Sequence, residues 1–268
     1  MNDEQRLRYS RHLLLDEWSE DIQQRLLQSH VLVVGVGGLG APALMYLASA
    51  GVGRITVVDP DTVDLTNLQR QIVHRHDRVG QAKVASARET LLALNPEVQV
   101  QAVQARADDA WLDEWAPQAD VLVDCTDRFE TRQLLNRASV RHGKPLVFAS
   151  AVRWDGQLAV FDPRVPHSPC YACLFPPDEV PPEVRCATMG VFAPAVGQVG
   201  VMQAGAALRL LAGLTPDTAF GRLVMVDGRT GETSAVRFRR QPHCPVCGPH
   251  VPSGSPCQKA PSGRFLAG

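Results

Sequence analysis

A glycine-rich loop stands where a predicted buried strand passes into a helix. The spacing Gly35-x-Gly37-x-x-Gly40 follows an apolar, β-branched run (31–34) and precedes a stretch of helical composition. Glycines permit the tight turn and let backbone N–H groups approach a phosphate at the helix N-terminus. Asp59 lies 19 residues beyond Gly40, at the end of the second predicted strand, where a carboxylate reaches a ribose hydroxyl. The pattern predicts a nucleotide site; the alternative is a glycine turn that serves packing alone.

Cationic and acidic side chains follow this loop at positions suited to a triphosphate and its metal. Asn67, Arg70 and Lys83 come after the predicted ribose-binding strand. A triphosphate needs several cations, whereas the pyrophosphate of a dinucleotide is held largely by backbone. Asp124 and Asp127 follow a later buried strand, and carboxylates at the carboxyl edge of a parallel sheet suit Mg²⁺. These features favour ATP over NAD. The alternatives are solvated surface charges for Arg70 and Lys83, and an N-cap role for Asp127.

Two Cys-x-x-Cys pairs predict a metal site. Cys170 and Cys173 are separated by 70 residues from Cys244 and Cys247. Four thiolates complete a tetrahedral structural zinc site, whereas a redox dithiol of the thioredoxin type would follow a βαβ pattern, which neither pair does. We therefore expect zinc. The nearby histidines are expected to be bystanders; they are His167, His243 and His250.

The remaining cysteines differ in their surroundings. Cys125 follows Asp124 at a strand end and is expected to be a small buried hydrophobe. Cys186 comes after a proline-rich acidic loop and next to Arg185, a setting that favours an exposed, reactive thiol. Cys257 is assigned no role.

The elements that must position these side chains alternate strand and helix, after two short helices expected within residues 1–29. This alternation predicts an α/β fold with a Rossmann-like, doubly wound and mostly parallel sheet. After Phe161 the chain changes to a proline-rich loop, a long apolar helix and two antiparallel strands. The predicted strands are 31–34, 55–58, 98–103, 121–123, 146–148, 158–161, 222–227 and 234–238, and the predicted helices include 41–50, 82–94 and 129–142, the last with Gly143 as C-cap.

Composition excludes several classes of protein. The 268 residues are 45% hydrophobic and 21% charged, an ordinary globular balance. The net charge of −1 argues against a strongly basic nucleic-acid binder. The charged N-terminus lacks the apolar core of a signal peptide, so a cytoplasmic protein is expected. The uncharged stretch 191–208 reaches the lower limit for a membrane span, but its proline, glycines and glutamines favour a buried core or subunit-interface helix.

The combination of these motifs resembles the ThiF/MoeB/HesA adenylyltransferases, bacterial relatives of ubiquitin-activating enzymes. The resemblance extends from Arg8-Tyr-Ser-Arg11 to Cys247. It implies that ATP and Mg²⁺ are used to adenylate the C-terminal glycine of a ubiquitin-like sulfur-carrier protein, with release of pyrophosphate. It also implies a homodimer with one structural zinc ion per chain. An NAD-dependent oxidoreductase and a zinc-stabilised scaffold that binds a carrier without turnover are the alternatives.

The resemblance also implies roles for individual side chains. Asp127 resembles the carboxylate that holds Mg²⁺, and Arg11 resembles an arginine offered to the partner subunit's ATP. Arg128 is a departure, because asparagine is common at this position in the family. The residues implied to bind ATP are Gly38 in the phosphate turn, Asp59 on the ribose, and Asn67, Arg70 and Lys83 on the triphosphate.

The element Cys186-Ala-Thr188 bears on the choice of carrier. It resembles the ThiF branch more than the MoeB branch, and in the ThiF branch this cysteine is associated with a covalent link to the activated carrier. The thiamine carrier ThiS is therefore preferred over the molybdopterin carrier MoaD. No rhodanese domain follows Cys247, so sulfur is expected from a separate donor such as a cysteine desulfurase or a rhodanese.

We expect a single adenylation domain over residues 1–248, followed by a disordered tail over 249–268. Within this domain the N-terminal helices occupy 1–29 and the nucleotide-binding core occupies 30–162. A zinc-tethered portion that binds the carrier is expected over 163–248.

Overall fold

The computed structural model describes residues 1–179 and 189–249, and at its centre lies one sheet of eight strands. The strands are β1 (His30–Val34), β2 (Arg54–Val58), β3 (Gln99–Val103), β4 (Val121–Asp124), β5 (Leu146–Val152), β6 (Asp155–Phe161), β7 (Arg222–Asp227) and β8 (Thr233–Arg237). Their order across the sheet is β3-β2-β1-β4-β5-β6-β7-β8. The first five strands in this order are parallel, and the pairs β5–β6, β6–β7 and β7–β8 are antiparallel.

The parallel half of the sheet follows from its short apolar runs. Every residue of β1 is buried, as expected for a parallel strand that is covered on both faces. β1 pairs with β2 on one side and with β4 on the other, so the chain order reverses between β1 and β4. This is the doubly wound arrangement that the sequence predicted, with its antiparallel portion at the C-terminal side.

The fifth and sixth strands are longer than the predicted 146–148 and 158–161. β5 and β6 form an antiparallel hairpin whose register runs from Leu146 opposite Phe161 to Val152 opposite Asp155. At its tip Arg153 has a φ of 54°, in the left-handed region that non-glycine residues adopt mainly in turns. The short apolar runs marked only the buried part of each strand.

The helices agree with the sequence in the core and differ at the N-terminus. Residues 1–29 hold three short helices rather than two, and the seven-residue helix Asp109–Trp115 was not predicted. Helix 129–142 has the predicted bounds and ends at Gly143, which has a φ of 64°. The helices of the described residues are α1 (Asp3–Arg8), α2 (Ser10–Leu13), α3 (Glu20–Gln28), α4 (Gly40–Ser49), α5 (Lys83–Leu94), α6 (Asp109–Trp115), α7 (Phe129–His142), α8 (Tyr171–Leu174) and α9 (Ala193–Ala212).

The long apolar helix α9 packs against α4 and the strands β5 and β6. By length and composition it is, within the described residues, the one helix that could cross a membrane, and 56% of its most apolar window is buried inside the protein. Its buried Gln203 donates through Nε2 to the carbonyl oxygens of Asp124 (2.6 Å) and Val147 (3.2 Å). The helix is therefore fastened to β4 and β5, as expected for a core helix.

The sheet runs through both of the regions predicted as 30–162 and 163–248, because β7 pairs with β6. The domain boundaries themselves stay a prediction. The predicted tail 249–268 lies outside the described residues, apart from Pro249.

Candidate nucleotide and metal sites

A cavity of about 390 Å³ opens at the carboxyl ends of β1 and β4, where the chain order reverses. Open α/β sheets bind their ligands at such a point, and the volume falls within the range of roughly 300–1,000 Å³ typical of small-molecule sites. The six residues predicted to hold the nucleotide or its magnesium all line this cavity; they are Gly38, Asp59, Asn67, Arg70, Lys83 and Asp127.

The glycine loop forms one wall of the cavity and is constrained by close packing. Gly35 has a φ of 99°, and a Cβ there would lie 2.7 Å from the carbonyl oxygen of Cys125. A Cβ on Gly40 would lie 2.1 Å from the carbonyl oxygen of Gly35. α4 starts at Gly40 without a side-chain N-cap. In its first turn Pro42 has no N–H, and Ala41 and Ala43 donate to the carbonyl oxygens of Gly37 and Leu39. Packing therefore requires the glycines of this loop, and a phosphate would bind the N–H groups of the loop itself.

Asp59 joins the loop to the end of β2. Its carboxylate accepts hydrogen bonds from the backbone N–H groups of Val36 (2.7 Å) and Asp61 (2.9 Å). The side chain is buried, and burial raises the pKa of Asp59 while Lys83 opposes that rise. Asp59 thus holds the loop in place and also faces the cavity, where its predicted role is to bind the ribose.

Lys83 is a buried cation at the first residue of α5. Only 6% of the residue is exposed, and Nζ forms an ion pair with Asp61 Oδ2 at 3.0 Å. The solvated-surface alternative is therefore wrong for Lys83. A charge removed from water exerts a stronger field on a neighbouring phosphate than a surface charge does.

The segment before α5 supplies two further predicted ligands. Asn67 ends the 3₁₀ turn Leu65–Asn67, and its Oδ1 accepts the backbone N–H of Asp64 at 3.2 Å. Arg70 is half-buried, and its Nη1 donates to the carbonyl oxygen of Thr66 at 3.0 Å. Each side chain is held by a hydrogen bond to the backbone of its own turn, and both residues line the cavity.

The two aspartates at the carboxyl end of β4 have different surroundings. Asp124 is completely buried, and burial raises its pKa; it does not line the cavity, so the expectation that both aspartates face Mg²⁺ is wrong for Asp124. Asp127 lines the cavity and is exposed, and within the described residues no hydrogen bond or ion pair engages its carboxylate. The N-cap alternative for Asp127 is also wrong, since Arg128 takes that position in α7 without a side-chain bond. A free carboxylate oxygen beside a phosphate loop fits Mg²⁺.

Several polar residues on the cavity wall were given no role by the sequence analysis, among them Gln71, Arg128 and Arg132. Arg128 was noted there only as a departure. Gln71 is buried, and its Oε1 has no hydrogen-bond partner among the described residues. Gln71 follows Arg70 directly, and Arg132 lies one helical turn beyond Arg128, so proximity to assigned residues was the available signal.

Two further residues were assigned to catalysis. Arg11 is exposed on α2 and does not line the cavity of its own chain, which is compatible with its predicted action in a partner subunit. Cys186 lies outside the described residues. Cys125 is buried, as predicted, and burial raises the pKa of its thiol well above the ordinary value.

The fold brings the two Cys-x-x-Cys pairs together. The sulfur of Cys170 lies 3.9 Å from that of Cys173 and 3.6 Å from that of Cys244, and the sulfurs of Cys173 and Cys247 are 3.5 Å apart. All four sulfurs lie within 4.8 Å of one another. Zn–S bonds of about 2.3 Å in a tetrahedron place sulfurs about 3.8 Å apart. The cluster therefore has the donor set and the spacing of a closed zinc site.

The surroundings of the cluster agree with a structural metal rather than a catalytic one. With four cysteine ligands no coordination position is left for water. Hydrogen bonding among the four sulfurs lowers the pKa of Cys173 and of Cys244 and raises the pKa of Cys170 and of Cys247, so two of the four thiols are favoured as thiolates. Within the described residues the metal-binding group contains no histidine. That His167 and His243 are bystanders stays a prediction, and His250 lies outside those residues.

Comparison with known proteins shows which family this sequence matches. A model of the ThiF family matches residues 9–246. The sulfur carrier protein ThiS adenylyltransferase of Escherichia coli is 44% identical over 92% of this chain and 97% of its own length. The molybdopterin-synthase adenylyltransferase of the same organism is 41% identical over 92% and 98%. The SAMP-activating enzyme E1 of Haloferax volcanii is 46% identical over 90% and 88%.

Solved structures show the same fold. The crystal structure of E. coli MccB with ATP superposes with a TM-score of 0.77 at 24% identity, over 90% of this chain and 73% of MccB. At that identity the likeness concerns the fold alone. The match over most of the chain and the identity to the curated relatives show that the chain belongs to the ThiF family.

Proposed function

We propose that this protein uses ATP to adenylate the C-terminal glycine of a ubiquitin-like sulfur-carrier protein and releases pyrophosphate. The observation that carries the proposal is the cavity at the switch point of the sheet, where a phosphate loop, a buried lysine and an unpaired carboxylate converge. Family membership and the names of the relatives, which are adenylyltransferases of sulfur carriers, support the same reaction.

The reaction asks the protein chiefly for positioning and charge neutralisation. A carboxylate oxygen of the glycine attacks the α-phosphorus of ATP, and the bond from that phosphorus to the leaving pyrophosphate breaks. Both reactants are anions, so cations and orientation matter more than a general base. Lys83, Arg70 and Asn67 hold the triphosphate in this proposal, the glycine loop binds phosphate oxygens through backbone N–H groups, and Asp59 binds the ribose. Asp127 would hold Mg²⁺, which neutralises phosphate charge.

The experiment that tests the proposal is carrier-dependent exchange between ATP and labelled pyrophosphate. Asp127→Ala should reduce exchange at least about 100-fold, because a charge-stabilising group is lost from the transition state. The fold should be unchanged, since Asp127 is exposed and adds no core volume. Asp77→Ala is a matched control, because Asp77 is an exposed aspartate outside the cavity. Near-normal exchange by folded Asp127→Ala protein would refute the assignment of magnesium to this residue.

We infer that the active form is a homodimer in which Arg11 reaches the neighbouring active site. Arg11 is exposed beside Leu14 and Leu15, of which 72% and 53% are exposed, and an exposed apolar pair next to a catalytic candidate fits a subunit interface.

The homodimer can be tested by mixing two inactive variants. Arg11→Ala and Asp127→Ala protein should each be inactive, but a mixed dimer contains one site with both residues intact if Arg11 acts across the interface. Exchange should therefore return on mixing after subunit exchange. Persistent inactivity of mixed dimers, or a fully active monomer in sedimentation, would contradict the inference.

We infer that ThiS is the preferred carrier and that Cys186 forms a thiol-sensitive covalent link to it. The support is the Cys-x-Thr element of the sequence. The relatives include a sulfur carrier protein ThiS adenylyltransferase at 44% identity and a molybdopterin-synthase adenylyltransferase at 41% identity. Exchange should be stimulated by ThiS more than by MoaD, and Cys186→Ser should still adenylate the carrier while losing the adduct. Stimulation by MoaD alone would overturn the carrier assignment and leave the reaction class intact.

The remaining components of the proposal are one zinc ion per chain at the cysteine cluster, a separate sulfur donor and a cytoplasmic location. The geometry of the four sulfurs supports the zinc. Zinc there would tie the loop before α8 to the segment after β8 and contribute folding free energy.

A further inference from the structure

A buried stack of side chains connects the cysteine cluster with the nucleotide cavity. Tyr171 stands between Cys170 and Cys173 and is 1% exposed. Its ring centre lies 4.9 Å from that of Phe148 on β5. The guanidinium of Arg132 lies 5.2 Å from the centre of the same Phe148 ring. Phe148 therefore contacts Tyr171, which lies between two cysteines of the cluster, and Arg132 on the cavity wall.

Arg132 holds the backbone of the loop that carries Asp127. Its Nη2 donates to the carbonyl oxygen of Thr126 (2.9 Å) and to Ser150 Oγ (3.2 Å). Thr126 is the residue directly before Asp127, and Thr126, Asp127 and Arg132 all line the cavity. A displacement of the guanidinium would thus move the loop that presents the predicted magnesium ligand.

The centre of this network is polar and incompletely bonded. Asp124 is 0% exposed, and its Oδ1 accepts from the backbone N–H (3.0 Å) and the hydroxyl (2.7 Å) of Thr126. Asp124 Oδ2 and Arg132 Nε are both buried without a partner among the described residues. Such atoms are costly to leave unpaired, so the position of Arg132 matters to the energy of the whole network.

The other end of the stack depends on the cysteine cluster. Asn136 on α7 accepts the backbone N–H of Tyr171 at 2.9 Å through Oδ1, and its Nδ2 donates to the sulfur of Cys170 at 3.5 Å. α8 has four residues, too few to be stable alone. Tyr171 is therefore held by Asn136, by ring packing and by a metal ion when one is bound to the flanking sulfurs.

The charge of Arg132 acts on the hydroxyl of Tyr171. Burial raises the pKa of Tyr171 to about 12, and the positive charge of Arg132 opposes that rise. The neutral phenol oxygen can accept an N–H from Arg132. Removal of this one oxygen, with the ring kept, is therefore a selective perturbation of the network.

We propose that Tyr171 is a positioning residue through which occupancy of the cysteine cluster orders Arg132 and the Asp127 loop for ATP. The inference rests on the proposed use of ATP at the cavity. Coupling between two sites is reciprocal, so zinc should strengthen ATP binding and ATP should strengthen zinc binding by the same factor. Given the usual size of such couplings, that factor should be on the order of tenfold.

The test compares wild type with Tyr171→Phe and with the control Tyr46→Phe, since Tyr46 is 55% exposed. ATP affinity is measured by calorimetry on zinc-loaded, full-length protein. Zinc affinity is measured by competition with a chelator, with and without ATP. In wild type and Tyr46→Phe, ATP should raise zinc affinity about tenfold. Tyr171→Phe should still bind one zinc ion, but ATP should leave its zinc affinity unchanged.

The outcomes separate the inference from the proposed function. Wild-type protein that binds ATP without any change in zinc affinity would overturn the coupling and leave adenylation untouched. Full coupling in Tyr171→Phe would show that the phenol oxygen has no such role. Arg132→Lys provides a second variant, because it keeps the charge but loses the planar fork, and it should abolish the coupling as well. Absence of ATP binding in wild type would overturn both the function and the coupling.

Discussion

Acidification should weaken the contact that His74 makes between the phosphate loop and helix α5. The imidazole is buried, with Nδ1 3.0 Å from Ser86 Oγ and Nε2 3.2 Å from the carbonyl oxygen of Val36. Burial lowers the pKa of His74 from 6.5 to about 4. Ser86 lies one turn after Lys83, so this histidine holds the lysine's helix against the glycine loop.

The sign and size of the effect follow from the pKa. Above pH 6.5 the imidazole is neutral in both the folded and the unfolded chain, and its contribution is pH-independent. Between the unfolded pKa of 6.5 and the folded pKa of about 4, only the unfolded chain takes up the proton, so stability is lost as the pH falls. At about 1.4 kcal/mol per pKa unit, the loss reaches about 2 kcal/mol by pH 5 and about 3 kcal/mol near pH 4.

The assay is urea unfolding of wild type, His74→Gln and His76→Gln at pH 7.5 and pH 5. His76 is exposed and serves as the matched control. His74→Gln should be less stable than wild type at pH 7.5, but its free energy of unfolding should fall by about 2 kcal/mol less on acidification. The pH dependence of His76→Gln should match that of wild type. Equal pH dependence in wild type and His74→Gln would refute the reasoning.

Three further changes test the site and the metal centre. Lys83→Met should lower ATP–pyrophosphate exchange at least about 100-fold, because it removes the buried cation; a loss below tenfold would contradict its phosphate role. Cys244→Ser should lose zinc by metal analysis and several kcal/mol of unfolding free energy in urea. Cys257→Ser should lose neither. Zinc retained by Cys244→Ser would contradict the four-cysteine site. Gly40→Ala should abolish ATP binding in calorimetry, since its Cβ would meet the Gly35 carbonyl oxygen. The control is Gly197→Ala on α9, where nothing lies within 4 Å of the added Cβ. It should bind ATP normally and gain roughly 0.5–1 kcal/mol of stability. An equal loss of ATP binding in both variants would point to a general effect of added methyl groups.

Much of the site could be predicted from local pattern, because its chemistry lies in short motifs. The glycine spacing from Gly35, the carboxylate at Asp59 and the paired cysteines each occupy a few neighbouring residues, and each motif carries its own mechanism. The strands were identifiable for the same reason, since a parallel strand buried on both faces is a continuous apolar run. Helix α6 was missed because it is short and mostly polar or aromatic, so its periodicity is weak.

Only the tertiary structure shows which residues are buried and which distant segments of the chain lie close together. The sequence left Lys83 undecided between a ligand and a surface charge, and only the folded structure shows that Lys83 is buried and paired with Asp61. From the sequence, Asp124 and Asp127 are two aspartates near the end of the same strand and could not be told apart. In the fold Asp124 is buried in the core, whereas Asp127 lines the cavity. Burial depends on what the rest of the chain places around a residue, and local sequence does not contain that information.

The sequence alone therefore determined the motif chemistry and the α/β class, because both depend on neighbouring residues and on hydrophobic periodicity. The tertiary structure decided that sulfurs separated by 70 residues in the chain lie within 4.8 Å, and that Tyr171 and Arg132 both pack on the ring of Phe148. The physical reason is that such contacts join segments distant in sequence. Their geometry is set by the order of strands in the sheet and by the packing of helices on its two faces.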